Sequence, residues 1–486
     1  MIRLKLSEIA AALGCPLPAA KADAGGGKTK GKPAKEVAVE SIVTDSRKVD
    51  FGALFAALPG SQVDGHDFAP VAVQLGAVAL LVERELELPG ERPGERHVPQ
   101  LVVDDVLHAL GTLAALLRER LDPWVIGITG SNGKTTVKEM VASILRPEGP
   151  VLATRGNYNN ELGVPLNLFE LEPRHRYAVL ELGASKPGDI VYLAGMVKPD
   201  VAVVTNIGPA HLGGFGSLEG VARAKGEIYA ALPGDGCAVI NADEPWTELW
   251  AELNRARRVI TFGTGAAEPG SMSGPSVRLE GSEEAPRVVT PAGAFDYRPA
   301  LPGRHNLLNA LAATAVALAL NPDMELDSIR RGLEAVKPVP GRLNVIETGH
   351  GWTVIDDTYN ANPASLYSAL RVLAEMQGTA WLVLGDMKEL GHDSPKMHRE
   401  VGDNARAMGV SRLFATGEMS VFTVDAFGEG AEHFASREAL AEAVRRSLRP
   451  GINCLVKGSR SMGMEAVVAA ITRPERNGPD PEGEAG

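Results

Sequence analysis

The sequence predicts an α/β protein of three domains, and three observations predict it. Short apolar runs of strand type alternate with helical stretches along most of the chain, which is the pattern of parallel sheets covered by helices. One such run enters a glycine-rich loop that opens a helix, across 124–145. The chain has 486 residues, too many for one core, so length alone divides it into about three domains.

The first domain is read as 1–122. Leu6, Ile9, Ala10 and Leu13 share one face at helical spacing, so a small amphipathic helix opens the chain. Glu8 interrupts the apolar residues before the core of a signal peptide can form. Strand-like pieces follow at 37–43 and 77–82, then a helix at 107–121 that ends at Asp122-Pro123. The stretch GGGKTKGKPAK at 25–35 reads as a flexible, solvated basic insertion.

The second domain is read as 123–337. It opens with the strand WVIGIT at 124–129 and a helix at 135–145, and strand-like runs recur at 177–180, 201–205 and 238–241. Residues 264–300 carry short alternating runs and many turn residues, which predicts a small antiparallel excursion before a helix at 306–318. The third domain, 338–473, repeats the alternation with strands at 353–355, 380–384, 412–415 and 453–456. The tail 474–486, PERNGPDPEGEAG, has the composition of a disordered segment.

Composition narrows the function classes. Hydrophobic residues make up 44% and charged residues 23%, the balance of a soluble globular protein. A net charge of −12 argues against a nucleic-acid partner, which favours a basic face, and leaves room for a local basic pocket. Cys15, Cys237 and Cys454 are odd in number and widely spaced, so neither a disulfide framework nor a zinc cluster is implied. No apolar run approaches the roughly 20 residues needed to span a bilayer. The chain therefore reads as cytoplasmic, without membrane insertion, and as a monomer by default.

The loop Gly127-Ile-Thr-Gly-Ser-Asn-Gly-Lys-Thr-Thr136 sits between strand and helix, where a phosphate loop belongs. Gly130, Ser131, Asn132 and Gly133 let consecutive backbone N–H groups turn toward one anion, and the helix N-terminus adds its dipole. Lys134 supplies a cation for the terminal phosphates of ATP, and Thr135 or Thr136 offers a hydroxyl to Mg²⁺. The spacing departs from the usual one: the first glycine stands at 127, and position 128 is Ile.

A nucleotide site on a parallel sheet lies at the carboxyl ends of the strands. Glu181 follows the run 177–180, His211 lies six residues after Thr205, and Lys225 lies in the helical stretch SLEGVARAKGEI. Singly these read as a surface acid, a loop histidine and a solvated lysine. As a set on one sheet they suggest metal chemistry, with Glu181 on Mg²⁺ and His211 on a second metal through neutral imidazole.

Eight stretches occur in order: TGSNGKTT, TRGNYNNELGVPL (154–166), ELGASKPGDI (181–190), TNIGPAHL (205–212), ARAKGEI (222–228), LPGRHNLLNALAA (301–313), GRLNVIE (341–347) and DDTYNANP (356–363). Together they resemble the Mur ligases, ATP-dependent amide-bond ligases of bacterial cell-wall precursor synthesis, over about residues 37–470. The altered loop spacing is also what that family shows. TDSRKV, FGALFAAL, DGHDF and LGDMKELG resemble the branch that joins D-alanyl-D-alanine to UDP-N-acetylmuramoyl-tripeptide, and the DNPR or DNPA stretch of a sister branch is missing. A related amide ligase, such as a folylpolyglutamate-type enzyme, is the alternative. A P-loop motor is the rival of another class.

The resemblance implies a small N-terminal nucleotide-sugar domain, a central P-loop ATPase domain with a parallel sheet, and a C-terminal Rossmann-like domain. It implies roles residue by residue. Asp45, Ser46 and Arg47 would lie near the uridine nucleotide. Asn157, Asn160 and Glu161 would lie near the muramoyl peptide. Lys134, Thr135 and Glu181 would hold phosphates and one Mg²⁺. His211 and a carbamylated Lys225 would hold a second Mg²⁺. Asn306 would meet adenine, Asp357 the ribose, and Arg342 the γ-phosphate. Asn167 departs from the family, where relatives often carry Thr.

Overall fold

The structure is a computed structural model that describes residues 3–17, 37–60, 62–88, 98–209, 212–265, 274–283 and 285–473. The basic stretch 25–35, the tail 474–486 and His211 lie outside them.

The centre of the molecule is a nine-stranded sheet. Its order is Gly293–Asp296, Pro286–Thr290, Val277–Gly281, Arg258–Gly263, Cys237–Asn241, Val201–Val204, Trp124–Thr129, Tyr177–Glu181, Val151–Ala153. Every pair from Val277–Gly281 to Val151–Ala153 is parallel, and the first three strands form the antiparallel excursion. The parallel strands are apolar without alternation because both faces are covered. Helices Lys134–Leu145 and Arg304–Leu320 bury one face. Val106–Leu121, Gly163–Leu168 and Asp189–Val197 bury the other.

This order positions the site. From Trp124–Thr129 the chain goes to the edge strand Val151–Ala153, returns to Tyr177–Glu181 beside the first strand, and then crosses to Val201–Val204 on its other side. A crevice opens at the carboxyl ends of strands where the order reverses in this way. The phosphate loop leaves from there.

The N-terminal lobe is a parallel sheet of Ser41–Val43, Ala53–Ala56, Ala79–Val82 and Gln100–Val102. The expected strand at 37–43 divides at Glu40: Ala38–Val39 pairs antiparallel with Leu4–Lys5, and Ser41–Val43 joins the lobe's sheet. Helix Val106–Leu121 then packs on the central lobe. Its Arg118, 7% exposed, donates to the carbonyls of Val197 and Lys198, both at 2.9 Å. Asp122 ends the helix in a left-handed conformation at φ 42°.

The C-terminal lobe is a six-stranded sheet in the order Asn344–Glu347, Thr353–Asp357, Ile452–Lys457, Thr379–Gly385, Arg412–Thr416, Ala431–Phe434. All its pairs are parallel except the first. Seven strands went unanticipated: Leu4–Lys5, Ala53–Ala56, Gln100–Val102, Val151–Ala153, Arg258–Gly263, Asn344–Glu347 and Ala431–Phe434. The last two lie at sheet edges, half exposed, where apolar runs are weakest. Among the described residues no helix is long and apolar enough to cross a membrane.

Candidate active site

A cavity of about 910 Å³ lies between the phosphate loop and the C-terminal lobe. Gly130 and Gly133 shape its floor with φ of 144° and 81°. A Cβ at Gly130 would lie 1.9 Å from Thr205 Oγ1, and one at Gly133 would lie 2.5 Å from Asn309 Oδ1. The loop is therefore closely held by the neighbouring strand and by helix Arg304–Leu320. The Ser131 N–H donates to Asn206 O and the Asn132 N–H to Asn206 Oδ1, both at 2.9 Å. With these spent, the N–H groups of Gly133, Lys134, Thr135 and Thr136, at the open helix start, are left to meet an anion.

The Lys134 side chain curls back on its own loop, donating to Gly130 O at 2.6 Å and Ser131 O at 3.3 Å. Burial lowers its ammonium to about 8; Glu181 opposes this and Arg342 adds to it. Lys225, 2% exposed, is lowered well below the ordinary lysine range by burial and by Lys134, with Asp189 opposing. Glu181, Lys225 and Arg342 thus each lie within electrostatic reach of Lys134, although the four come from separate stretches of sequence.

Thr135 and Glu181 are 4% and 1% exposed, and Thr135 Oγ1 and Glu181 Oε1 have no hydrogen-bond partner. An unpaired buried carboxylate oxygen is costly. A buried hydroxyl and a buried carboxylate oxygen, each without a partner, have the chemistry that suits a hard cation such as Mg²⁺. Lys138 was not singled out from the sequence. It is 3% exposed, lies 3.9 Å from Glu181 Oε1, and donates to Thr154 O at 2.8 Å. Among the described residues no group of three or more His, Cys, Asp or Glu side chains forms a metal cluster.

The C-terminal lobe contributes the roof. The Arg342 guanidinium stacks on the Tyr359 ring, 3.9 Å from its centroid, and its buried Nε has no partner. Asp357 is buried, accepts from the Leu343 N–H at 3.1 Å, and is ion-paired with Lys457. Burial pushes its carboxyl up against the pull of Lys457. Asn306 lines the same cavity; its amide donates to Pro302 O at 2.7 Å and accepts from Asn309 at 3.1 Å. Lys457 and Asn309 were not singled out either, since each looks like an ordinary strand or helix residue until the sheet is assembled.

Asn157, Asn160 and Glu161 line the cavity from the loop after Val151–Ala153. Asn167 explains that loop's shape. Its Oδ1 accepts from the Arg155 N–H at 2.9 Å, and its Nδ2 donates to Tyr158 O at 2.7 Å and Gly163 O at 2.9 Å. Asp45, Ser46 and Arg47 are not on the cavity lining. They form a capped turn in the N-terminal lobe, where Asp45 accepts from the Arg47 N–H at 3.0 Å and pairs with its guanidinium at 2.9 Å.

A phosphate loop at a switch point, roofed by an arginine from a second α/β lobe, defines a class of three-lobed α/β enzymes that handle a nucleotide in an interdomain cleft. Comparison with known proteins gives the family. The patterns described as Mur ligase family, catalytic domain, as Mur ligase middle domain and as Mur ligase, glutamate ligase domain match residues 38–118, 128–317 and 341–460. This chain belongs to the Mur ligase family. It is 42% identical over 438 residues to the UDP-N-acetylmuramoyl-tripeptide--D-alanyl-D-alanine ligase of Escherichia coli, covering 90% of this chain and 94% of the relative. Among solved structures it is similar to MurF from Acinetobacter baumannii, with 34% identity, TM-score 0.84, and coverage of 97% and 99% of the two chains. It is also similar to MurF ligase from Thermotoga maritima in complex with ADP, with 29% identity, TM-score 0.76, and coverage of 89% and 97%.

Proposed function

We propose that this chain joins D-alanyl-D-alanine to UDP-N-acetylmuramoyl-tripeptide at the expense of ATP. The observation that carries the reading is that Lys134 on the loop and Arg342 from the other lobe face one cavity. The relatives named above support the choice of substrates.

The terminal carboxylate of the tripeptide attacks the γ-phosphorus of ATP, and ADP leaves. The resulting acyl phosphate is attacked by the dipeptide amine, which loses a proton, and phosphate leaves as the amide forms. Lys134 and Arg342 neutralise charge on the transferring phosphoryl group. The cleft excludes water that would hydrolyse the acyl phosphate. Thr135 and Glu181 are the residues that would hold Mg²⁺, which when bound would neutralise the phosphates. Lys225, buried and held toward its neutral amine, has the chemistry to take up carbon dioxide as a carbamate and so become an anion; with His211 it would serve a second Mg²⁺. Asn306 and Asp357 are assigned to adenine and ribose, and Asp357 would exchange or share its Lys457 partner. Asn157, Asn160 and Glu161 are assigned to the muramoyl peptide, and Asp45, Ser46 and Arg47 to the uridine nucleotide. We divide the lobes at 122/123 and 337/338.

The test supplies the purified chain with ATP, UDP-N-acetylmuramoyl-tripeptide and a panel of amine donors. Phosphate and amide should form in equal amounts, with D-alanyl-D-alanine preferred over single amino acids. Phosphate release that ignores the dipeptide, with no amide product, overturns the reading.

A further inference from the structure

We infer that Asn362 is a positioning residue whose side-chain amide latches the C-terminal lobe onto the phosphate loop through Asn132. The inference rests on the reading of Arg342 as a group that must reach the phosphates.

The Asn362 Nδ2 donates to Asn132 Oδ1 at 2.8 Å, joining residues 230 positions apart and two lobes. Each end is fixed before they meet. On the loop side, the Asn132 carbonyl accepts from Thr205 Oγ1 at 2.6 Å and from Asn206 Nδ2 at 3.1 Å, and its N–H donates to Asn206 Oδ1 at 2.9 Å. The backbone of position 132 is thus committed to the central lobe, and its side chain is directed at the other lobe. On the opposite side, Asn362 caps helix Pro363–Glu375. Its Oδ1 accepts from the Ser365 N–H at 2.8 Å, and its own N–H donates to Ser365 Oγ at 3.2 Å. That leaves Nδ2 free for the loop. The segment before the cap is held too: the Tyr359 N–H donates to Gly341 O at 3.0 Å, and Lys457 donates to Asn360 O at 2.9 Å.

A hydrogen bond between two preorganised groups loses little entropy when it forms. It also depends on one relative placement of the lobes. Gly341, Arg342 and Tyr359 are tied to the same segment as Asn362, so the placement that makes the latch is the placement that brings Arg342 into the cavity within electrostatic reach of Lys134. Capping and latching use different atoms of one amide, so they can be separated by substitution.

The separating variant is Asn362→Ser, because serine caps a helix about as well as asparagine and is too short to reach Asn132. With wild-type melting behaviour retained, kcat should fall about five- to tenfold while KM for ATP changes less than twofold, as expected for one net hydrogen bond. Small-angle scattering with a non-hydrolysable ATP analogue should show a smaller closed fraction in the variant. In a cycle with Asn132→Ala, the double variant should be no slower than the slower single one. Asn362→Thr, another capping residue, serves if Ser destabilises the helix. The latch is overturned if the variant keeps wild-type kcat and closed fraction, or if the two single effects multiply in the double variant. Absence of ligation by the wild-type chain would instead overturn the proposed function, and the scattering arm would still judge the latch.

Discussion

Lys134 carries two opposed demands. It must be charged to hold phosphate, yet burial lowers its ammonium to about 8 in the free protein. The charged form is the useful one and is present below that value. The expected outcome is that kcat/KM for ATP is level at neutral pH and falls as pH rises through about 8, since this parameter reports the free enzyme. Lys134→Arg should lower the plateau and remove the alkaline limb, because a guanidinium stays charged throughout. A limb that persists unchanged in the arginine variant would assign it to another group. Arg342 makes a different demand, for shape. Its guanidinium lies over the Tyr359 ring, 3.9 Å from the centroid, and its buried Nε has no partner. Arg342→Lys keeps the charge and loses the plane, so kcat should fall by about a hundredfold, the scale of one lost oxyanion-type donor. KM for the UDP-linked substrate should stay level, and an equal rise in that KM would place Arg342 in ground-state binding.

At the scale of elements, close approach of helices decides what the central lobe tolerates. Helix Leu326–Glu334 meets helix Lys134–Leu145 at Gly332, where a Cβ would stand 2.6 Å from Ile144 Cα. Ser143 Oγ donates to Gly332 O at 2.7 Å across the same contact. Gly332→Ala should cost about 1–3 kcal/mol, the usual range for overpacking, read as a lower urea midpoint. Because Ile144 lies in the helix that starts at the phosphate loop, a rise in KM for ATP should accompany it. Most of the elements that frame the site were legible, Val151–Ala153 being an exception. The strand 124–129, the loop and the helix after it could be read because a buried parallel strand is a plain apolar run and because glycines mark the turn. Several elements that went unread lack such signals, although the fully buried Ala53–Ala56 does not. Asn344–Glu347 and Ala431–Phe434 are half-exposed edge strands with mixed polarity. Lys457 meets Asp357 100 positions away, and Asn362, although it lies in the stretch DDTYNANP, meets Asn132 230 positions away; no local pattern announces a contact of that kind. Asn167 appeared as a departure from relatives, and its three hydrogen bonds to the loop at 155–163 give the position a structural purpose that the sequence alone does not reveal.

The whole molecule is less evenly divided than three lobes suggest. One hydrophobic core runs from Leu4, Leu6 and Ile9 through Leu110, Leu113 and Leu117 into Leu168, Leu180 and Val204, so the N-terminal and central lobes share it. The two cores of the C-terminal sheet contain residues of that lobe alone. Arg118 strengthens the first junction: besides the two carbonyls it pairs with Asp122 at 3.0 Å and approaches Asp200 at 3.5 Å, while Asp200 accepts from the Val125 N–H at 2.7 Å. The C-terminal lobe faces a large cavity instead. Unfolding in urea should therefore show two cooperative steps, one reported by Trp381 of the C-terminal sheet and one by the buried Trp250 of the central lobe. The N-terminal lobe should unfold with the second. Arg118→Met should lower that step by about 2 kcal/mol, since it leaves the buried Val197 carbonyl without its donor and Asp200 without its cation, and should leave the Trp381 midpoint in place. A single transition seen by both tryptophans, or an equal shift of both midpoints, would mean that the cleft couples the lobes as tightly as the shared core does. Domain closure would then have to be a small adjustment within one folded body, with little room for a swing of the C-terminal lobe.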